Sequence, residues 1–452
     1  MKLALTKNIG SACFAFSLSM GAQAGVFSTY EEDGSLFRSN LNSQISAPAL
    51  EKLGKKTASK DAVLYNLEKA RLLQVNHQYE ESTETYKKAF EQLEKQNNQA
   101  TVSVSRMGFK ALSMISNDSI VPYNVPPYEQ VLAHISQAKN YIFLNNQEAA
   151  GVEMRIAQRI QREIEVDHEK ELEKKAAKAS KQTPNDPALD NVDEAFAGLN
   201  TIAGKIKNTY QNAYAFYMAA NLWEAVGESN DALVDYKKAY ELQPDTNLAK
   251  DVTRLDINVA KAKSAVPVIV FIEQGIVPKK IENKIALPVP NGVVNIAFAT
   301  YEPSTYTSPE SLNIKLDNKA QRSFVLNDIG ALAVKDLKEK AVGNVTSQIV
   351  RATTKFVAQQ QLGQQLGSLG QLAGNLMNIA TERADLRAWS TLPSNTQIAR
   401  FEVAPGKHNL QIFSNGSSSE PLSFDAAPKQ TVFVYVNDVN DRITTSVSTV
   451  SN

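Results

Sequence analysis

The first half of the chain shows the hydrophobic spacing of amphipathic helices. Residues 59–264 are rich in Ala, Glu, Lys, Gln and Leu and contain few β-branched runs, a pattern that favours helix. Small residues fall at Ala220, Ala232 and Ala239, and Pro244 closes the segment. That spacing is typical of a tetratricopeptide repeat of about 34 residues, in which small side chains let two antiparallel helices cross closely.

The same register of small and aromatic residues recurs in 63–94 and 131–163. Three copies predict a helical-repeat domain of the tetratricopeptide type. The first helices of such repeats line a concave face that commonly binds peptides or proteins. Counting along these helices predicts a partner-binding groove formed by Leu67, Arg71, Ile135, Lys139, Phe143, Tyr214, Tyr217, Asn221 and Glu224. The alternative is that these side chains pack on the long helices inserted between the repeats.

From about residue 265 the pattern changes to short apolar runs separated by Gly and Pro. The run 266–272 is continuously apolar, which predicts a strand. In 431–436 both faces are apolar, as expected for a strand between two layers. Further strands are predicted at 281–288, 293–301, 312–316, 322–326, 397–403, 408–413 and 431–436. Short strands with Gly and Pro turns favour a β-sandwich over 265–327 and 396–452. The predicted fold class is therefore an α+β multidomain chain, with a helical-repeat domain followed by a β-sandwich-like domain.

A helical insertion is predicted within the β domain, at 328–395. Residues 356–381 carry no charge, but their many glutamines make them too polar to span a bilayer. Leucines and alanines repeat here with heptad spacing, and beside them runs a stripe of four glycines: Gly363, Gly367, Gly370 and Gly374. Such a stripe indicates close approach of another backbone. We favour an internal helical hairpin packed on the β domain; the alternative is a self-association or membrane-proximal contact surface.

The N-terminus has the pattern of a secretory signal peptide over 1–24. Two lysines precede an apolar stretch, and small residues at Ala22 and Ala24 mark a cleavage site before Gly25. Residues 25–58 then form a lead segment of the mature chain. The pattern predicts export to the periplasm and leaves a peripheral association with the outer membrane open.

Composition narrows the chemistry that the chain can perform. The 48 basic residues balance the 48 acidic ones, which removes a bulk electrostatic case for binding nucleic acid. The single cysteine, Cys13, lacks the apolar run that precedes a lipidated cysteine, so ordinary cleavage is favoured over lipidation. One cysteine excludes a disulfide framework, and the four histidines lie far apart. No cofactor and no metal are therefore predicted.

Four segments of the chain carry a family resemblance. They are 128–134 (YEQVLAH), 271–279 (FIEQGIVPK), 382–393 (ERADLRAWSTLP) and 404–408 (APGKH). With them the chain resembles an uncharacterised family of exported bacterial proteins, mostly predicted lipoproteins, that join tetratricopeptide-like helices to a β-rich C-terminal half. The resemblance covers nearly all of the mature chain and implies an envelope setting without an established activity. The absence of a convincing lipobox departs from the family pattern.

The third segment contains the residues that stand out most: Glu382, Asp385, Arg387, Trp389 and Pro393. On a helix, Glu382, Asp385 and Trp389 would share one face. Two neighbouring carboxylates could serve a glycan-acting hydrolase. We favour the other interpretation, in which Asp385 and Arg387 tie a helix end to the β domain and Trp389 fills its core, because nothing nearby supplies a nucleophile or a metal partner.

Together these patterns predict a periplasmic, non-enzymatic adaptor or scaffold in the biogenesis of the cell envelope or of surface structures. Its partners would be envelope proteins, and nucleic acid is not among them. The first alternative is a structural envelope protein that self-associates through the glycine-lined helix. The second is the glycan-acting hydrolase.

Overall fold

The computed structural model describes most of the chain from Tyr30 onward. The described residues are 30–41, 44–104, 121–179, 194–256, 265–289, 292–341, 383–440 and 442–451. Their first half is helical and their second half is rich in β-strands, which confirms the α+β class. The predicted signal peptide and the stripe of Gly363, Gly367, Gly370 and Gly374 lie outside the described residues.

The helices of the first half are numbered in chain order. They are α1 (Tyr30–Ser39), α2 (Ala47–Lys56), α3 (Ala62–Val75), α4 (Tyr79–Val104), α5 (Pro127–Phe143), α6 (Gln147–Ala179), α7 (Asn200–Ala203), α8 (Ala213–Ala225), α9 (Ser229–Leu242) and α10 (Thr246–Asp256). Helices α1 and α2 belong to the predicted lead segment. One further helix, α11, covers residues 329–341 in the second half.

Three pairs of neighbouring helices, α3–α4, α5–α6 and α8–α9, pack against each other along their length. The small residues predicted for these contacts are at most 1% exposed: Ala70, Ala89, Ala138, Ala150, Ala157, Ala220, Ala232 and Ala239. At the first contact, Ser82 Oγ of α4 donates a hydrogen bond to the Ala70 carbonyl of α3 at 2.7 Å. Small side chains therefore lie where the helices come closest, as ridge-and-groove packing requires.

Ala232→Leu tests this packing. Ala232 is fully buried between α8 and α9, so three added carbon atoms should lower the free energy of unfolding by about 1–3 kcal/mol through overpacking. Equilibrium urea unfolding measures the change. Val234→Leu is the matched control, because Val234 lies on the same helix but is 66% exposed. Equal effects of the two substitutions would contradict the packing.

The second half contains twelve described strands. They are β1 (Val266–Gln274), β2 (Lys280–Val289), β3 (Gly292–Tyr301), β4 (Asn313–Leu316), β5 (Lys319–Arg322), β6 (Phe324–Asp328), β7 (Asn395–Val403), β8 (Gly406–Ser414), β9 (Ser417–Ser418), β10 (Leu422–Ala426), β11 (Gln430–Val439) and β12 (Arg442–Ser451). Five of them form the large sheet, in the order β12-β11-β1-β7-β6. A second sheet has the order β10-β8-β4-β5, with β9 paired to β8, and β2 and β3 form a separate hairpin.

The large sheet is a layer between the helices and the second sheet. Its middle strand, β1, runs parallel to β11 and antiparallel to β7. Alternate side chains of β1 point to opposite faces: Val268 and Val270 join the core shared with the second sheet, while Ile269 and Phe271 join the core shared with α5, α6, α8 and α9. Burial on both faces explains why β1 is a continuous apolar run instead of an alternating one.

Most of the predicted strands are present. The predictions at 266–272, 281–288, 293–301, 312–316, 397–403, 408–413 and 431–436 correspond to β1, β2, β3, β4, β7, β8 and β11, and the one at 322–326 corresponds mainly to β6. Strands β5, apart from Arg322, β9, β10 and β12 were missed. The predicted helical insertion at 328–395 begins with α11, whereas residues 383–389 form neither helix nor strand and β7 starts at Asn395.

Candidate functional site

The predicted groove is not open, because the large sheet covers the concave side of the helices. The side chains of Leu67, Arg71, Ile135, Lys139, Tyr214, Tyr217, Asn221 and Glu224 are all buried, and Phe143 is half-buried. The Tyr214 ring meets the Phe271 ring of β1 edge-on at 5.8 Å between centroids, and Arg400 of β7 donates to Asn221 Oδ1 at 3.0 Å. These nine residues are therefore corrected from a partner-binding groove to the internal contact between the two halves.

Two of these groove residues form a buried ionic cluster with the end of β1. The Glu273 carboxylate accepts hydrogen bonds from Arg71, from Lys139 and, at 2.5 Å, from the Tyr435 hydroxyl. All four side chains are buried, and the Lys139 ammonium also lies 4.4 Å from the centroid of the Tyr435 ring. Burial and the neighbouring guanidinium of Arg71 hold the pKa of Lys139 well below its usual range. Two cations thus face one anion at the junction of α3, α5 and β1.

A second ionic cluster joins α8, α10 and β7. Arg254 binds the Glu224 carboxylate through both terminal nitrogens, at 2.7 and 2.8 Å. Arg400 approaches the same carboxylate at 3.4 Å and Asp251 at 3.5 Å. Two anions and two cations balance here, so the charges compensate one another inside the protein. The arrangement fixes β7 to the last helical pair and leaves no charge free for a ligand.

The motif segment is extended and not helical. Arg387 binds both oxygens of Asp385, at 2.8 and 2.6 Å, and also pairs with Asp61 at the start of α3. Trp389 is fully buried and meets Tyr86 of α4 edge-on at 6.2 Å between ring centroids. The predicted helical face shared by Asp385 and Trp389 is therefore wrong, although the preferred role of the segment, an anchor between the two halves, fits these contacts.

The other two motif residues add little to the site. Pro393 is buried just before β7, and Glu382 lies outside the described residues. The Asp385 carboxylate is engaged by Arg387, which holds the pKa of Asp385 below its usual range against the opposing effect of burial. A pair of free carboxylates, as a hydrolase needs, is therefore not formed around Asp385 by the residues that the structure describes.

Two buried carboxylates of the helical half accept hydrogen bonds from the main chain of this segment. Neither was predicted from the sequence as a site residue. Glu68 of α3 accepts the backbone N–H of Ser390 at 2.6 Å, the Ser390 hydroxyl at 2.7 Å and the Thr391 hydroxyl at 2.5 Å. Burial raises the pKa of Glu68 in spite of these donors. Glu68 is fully buried, and it ties residues 322 positions apart in the sequence.

Glu129 of α5 is the second buried carboxylate. It accepts the Tyr123 hydroxyl at 2.7 Å and the Trp389 backbone N–H at 3.2 Å. Burial raises the pKa of Glu129 to about 7, although the two donors and the charge of Lys280 act in the opposite direction. A carboxyl group with such a pKa changes its charge near neutrality. Both carboxylates face fixed protein donors, so their role is to hold the chain and not to meet a substrate.

The helical half carries an open cleft on its outer side, between α2, α3 and α4. Its volume is about 550 Å³, and its floor includes Ile45, Leu50 and Leu73. Leu50, in the wall of this cleft, is 48% exposed. Such exposure is common for single leucines on an open surface but unusual in a pocket wall. The rim of the cleft contains three glutamates and two lysines: Glu80, Glu81, Glu84, Lys69 and Lys88.

In the described part of the chain, no group of three or more His, Cys, Asp or Glu side chains is placed to share a metal ion. None of its helices combines the length and the apolar character needed to cross a bilayer. No protein-family model, no curated protein and no solved structure matches the chain.

Proposed function

We propose that the protein is an exported, non-enzymatic adaptor of the bacterial cell envelope that binds a protein partner in the cleft between α2, α3 and α4. In this proposal the three helical pairs are tetratricopeptide-like repeats, and the two larger sheets form a sandwich-like domain beneath them. The N-terminal pattern of a signal peptide and the resemblance to an exported family support the periplasm as its compartment. The cleft replaces the concave groove as the binding surface, because the protein's own sheet fills that groove.

The observation that carries the proposal is the exposed apolar floor of the cleft. Leu50 is 48% exposed beside Ile45 and Leu73, which are buried in the adjoining core. An apolar patch at the bottom of a concave surface with a polar rim is the usual form of a protein-binding site. Burying the exposed half of the Leu50 side chain contributes about 0.7–1.5 kcal/mol, one part of the binding energy of a short partner segment.

The rim indicates the charge of that partner. Glu80 and Glu81 are exposed on the first turn of α4, and Glu84 follows one turn later. Glu84 pairs with Lys87 at 2.7 Å, and Lys69 and Lys88 also line the cleft, so the negative charge of the rim is local to the adjacent Glu80 and Glu81. A segment with apolar side chains flanked by Lys or Arg therefore fits the cleft, with the basic groups raising the rate and specificity of binding.

The hydrolase is the weaker alternative. It required Glu382 and Asp385 as a carboxylate pair, but Asp385 is bound on both oxygens by Arg387. The carboxyl groups with raised pKa values, Glu68 and Glu129, are fully buried under main-chain and hydroxyl donors of the protein itself. A substrate would have to displace the Trp389 segment to reach them.

Site-specific photo-crosslinking tests the adaptor proposal. A photoreactive residue at position 50, in cells that export the protein, is expected to give one discrete crosslinked partner. The same residue at position 234 should give none, because Val234 is equally apolar and exposed at 66% but does not lie in a cleft. Mass spectrometry of the adduct should place the link in an apolar segment next to Lys or Arg of an exported protein.

Charge reversal at the rim supplies the second arm of the test. Glu80→Lys/Glu81→Lys is expected to reduce the crosslink from position 50 about tenfold, the change produced by about 1.4 kcal/mol. Glu148→Lys, at an exposed glutamate on the first turn of α6, should leave the crosslink unchanged. A crosslink whose yield is unchanged by Glu80→Lys/Glu81→Lys, or that forms equally from position 234, would refute the cleft as the binding site.

A further inference from the structure

The outer strands of the two larger sheets are protected against pairing with other chains, with one exception. Strand β5 has four residues, two of them the cations Lys319 and Arg322. Strand β6 has five residues and an irregular register between Val325 and Asn327, and β10 has five residues with Asp425 among them. Short length, charges and bulges are the devices by which natural sheets prevent edge-to-edge association.

Strand β12 is neither short nor bulged, and its one charged residue, Arg442, lies at its end. It has ten residues, Arg442–Ser451, and it pairs with β11 in an unbroken register from one end to the other. Between 443 and 451 the sequence ITTSVSTVS contains no charged residue and no proline. Among the described residues it pairs with a strand on one side only. A long, regular, uncharged edge is a template for a further strand.

Space for that further strand lies along the same edge. An open cleft of about 400 Å³ is lined by 447–449 of β12, by Asn145 of the α5–α6 turn, and by Phe424 and Asp425 of β10. The cleft therefore has the helical half on one side and the second sheet on the other, with the edge of β12 between them. Asp425 lies opposite Lys407 in the β10–β8 pair, so its charge has a neighbouring cation.

We propose that β12 pairs with β12 of a second copy of this chain, antiparallel and around a two-fold axis near Val447. An isologous pair of this kind places each residue of one strand opposite a residue of the same strand. Thr445 then faces Thr449 and Ser446 faces Ser448, and no like charges meet. The Ser446 hydroxyl accepts from Tyr79 and the Ser448 hydroxyl donates to the Ile142 carbonyl, so the side-chain contacts between copies come from the threonines. The large sheet of five strands continues into its partner, and main-chain hydrogen bonds supply the attraction.

A second copy fits this edge better than the basic segment proposed for the α2–α4 cleft. The strand offers no carboxylate between 443 and 451 to attract Lys or Arg, and the nearby Asp425 already has Lys407 beside it. Self-pairing also explains why residues 443–451 carry no charge, since any charge near the axis would meet its own copy. The inference is independent of the adaptor proposal, because it concerns a different surface.

Charge complementation across the axis tests the proposal. The purified protein is expected to form a concentration-dependent dimer in sedimentation velocity. Thr445→Lys/Thr449→Lys, at two half-buried positions, should weaken the dimer at least tenfold, and so should Thr445→Glu/Thr449→Glu. An equimolar mixture of the two variants should dimerise again, because Lys of one copy then faces Glu of the other. The matched control is Ala320→Lys on the exposed strand β5, which should leave the dimer unchanged.

Three outcomes would overturn the inference. The first is a protein that stays monomeric at every concentration. The second is a dimer that the Lys variant weakens no more than Ala320→Lys does. The third is a mixture of the Lys and Glu variants that associates no better than either alone. Because the mixture restores association only between folded chains, misfolding of the variants cannot imitate the expected result. Hydrogen exchange on the unaltered protein adds a check, since the amides of 443–451 should gain protection as the concentration rises.

Discussion

Glu273→Gln is expected to lower the free energy of unfolding by about 3–5 kcal/mol at neutral pH. The substitution keeps the size of the side chain but removes the one anion of a cluster that also contains Arg71 and Lys139. All three side chains are at most 4% exposed. Two cations would then lie near each other without a compensating anion, in an interior where water screens them little.

The loss should depend on pH in a defined direction. Burial and Arg71 already hold the pKa of Lys139 well below its usual range, and Glu273→Gln removes the anion that favours its charged form. A lysine with a depressed folded pKa binds more protons in the unfolded state, so stability rises with pH while that lysine deprotonates. The destabilisation by Glu273→Gln is therefore expected to shrink as the pH rises through the range, below the usual pKa of lysine, in which Lys139 has deprotonated in the variant but not yet in the unaltered protein.

Urea unfolding of matched variants checks this prediction. Glu51→Gln removes the anion of the Lys55–Glu51 pair, whose side chains are 70% and 68% exposed, and should leave stability nearly unchanged, because water screens the pair. Adding Lys139→Met to Glu273→Gln should recover part of the loss, because it removes one of the two uncompensated cations. If Glu273→Gln costs no more than Glu51→Gln, the cluster does not hold the charges assigned to it.

The division into a helical half and a β-rich half could be predicted from the sequence. Small and aromatic residues predicted the helical pairs, and the apolar run 431–436 of β11 predicted a strand between two layers. The surface that covers each face could not be predicted, because an apolar strand does not specify what packs against it. The partner-binding groove was predicted wrongly for the same reason. Arg71, Tyr214 and Asn221 do lie on one side of the helices, but the sheet that covers this side belongs to the same chain.

Two other errors have different causes. The segment 383–389 has the composition of a helix, but the N–H of its last residue, Trp389, donates to Glu129 and the N–H of the following Ser390 donates to Glu68. These contacts with distant helices override a weak local propensity. Strand β12 was missed because Ser and Thr alternate in it with few apolar residues, and its β-structure depends on pairing with β11. In the sequence, the buried carboxylates are indicated only by acidic residues that stand among apolar ones. Glu68 lies inside an otherwise mostly apolar helix and Glu273 ends an apolar strand.

Glu129→Gln is expected to make the protein more stable at alkaline pH by up to about 3 kcal/mol, with little change in mild acid. Burial raises the pKa of Glu129 to about 7 in the folded state, against about 4.3 for an exposed glutamate. The folded protein therefore binds more protons than the unfolded chain between these values. Its stability is greatest below the lower pKa and falls as the pH rises through the higher one, at about 1.4 kcal/mol for each unit of difference.

The amide of Gln reproduces the neutral acid and keeps an acceptor for the Trp389 N–H, so the variant should lack this decline. The quantity to measure is the difference in free energy of unfolding between the variant and the unaltered protein, from about pH 4.5 to about pH 9. Taking the difference removes other titrations, such as that of Asp235, whose pKa burial raises to about 6. Glu148→Gln, at an exposed glutamate, should give a flat difference over the whole range. A flat difference for Glu129→Gln as well would mean that this carboxylate is charged in the folded protein throughout, and that the contacts from Tyr123 and Trp389 outweigh its burial.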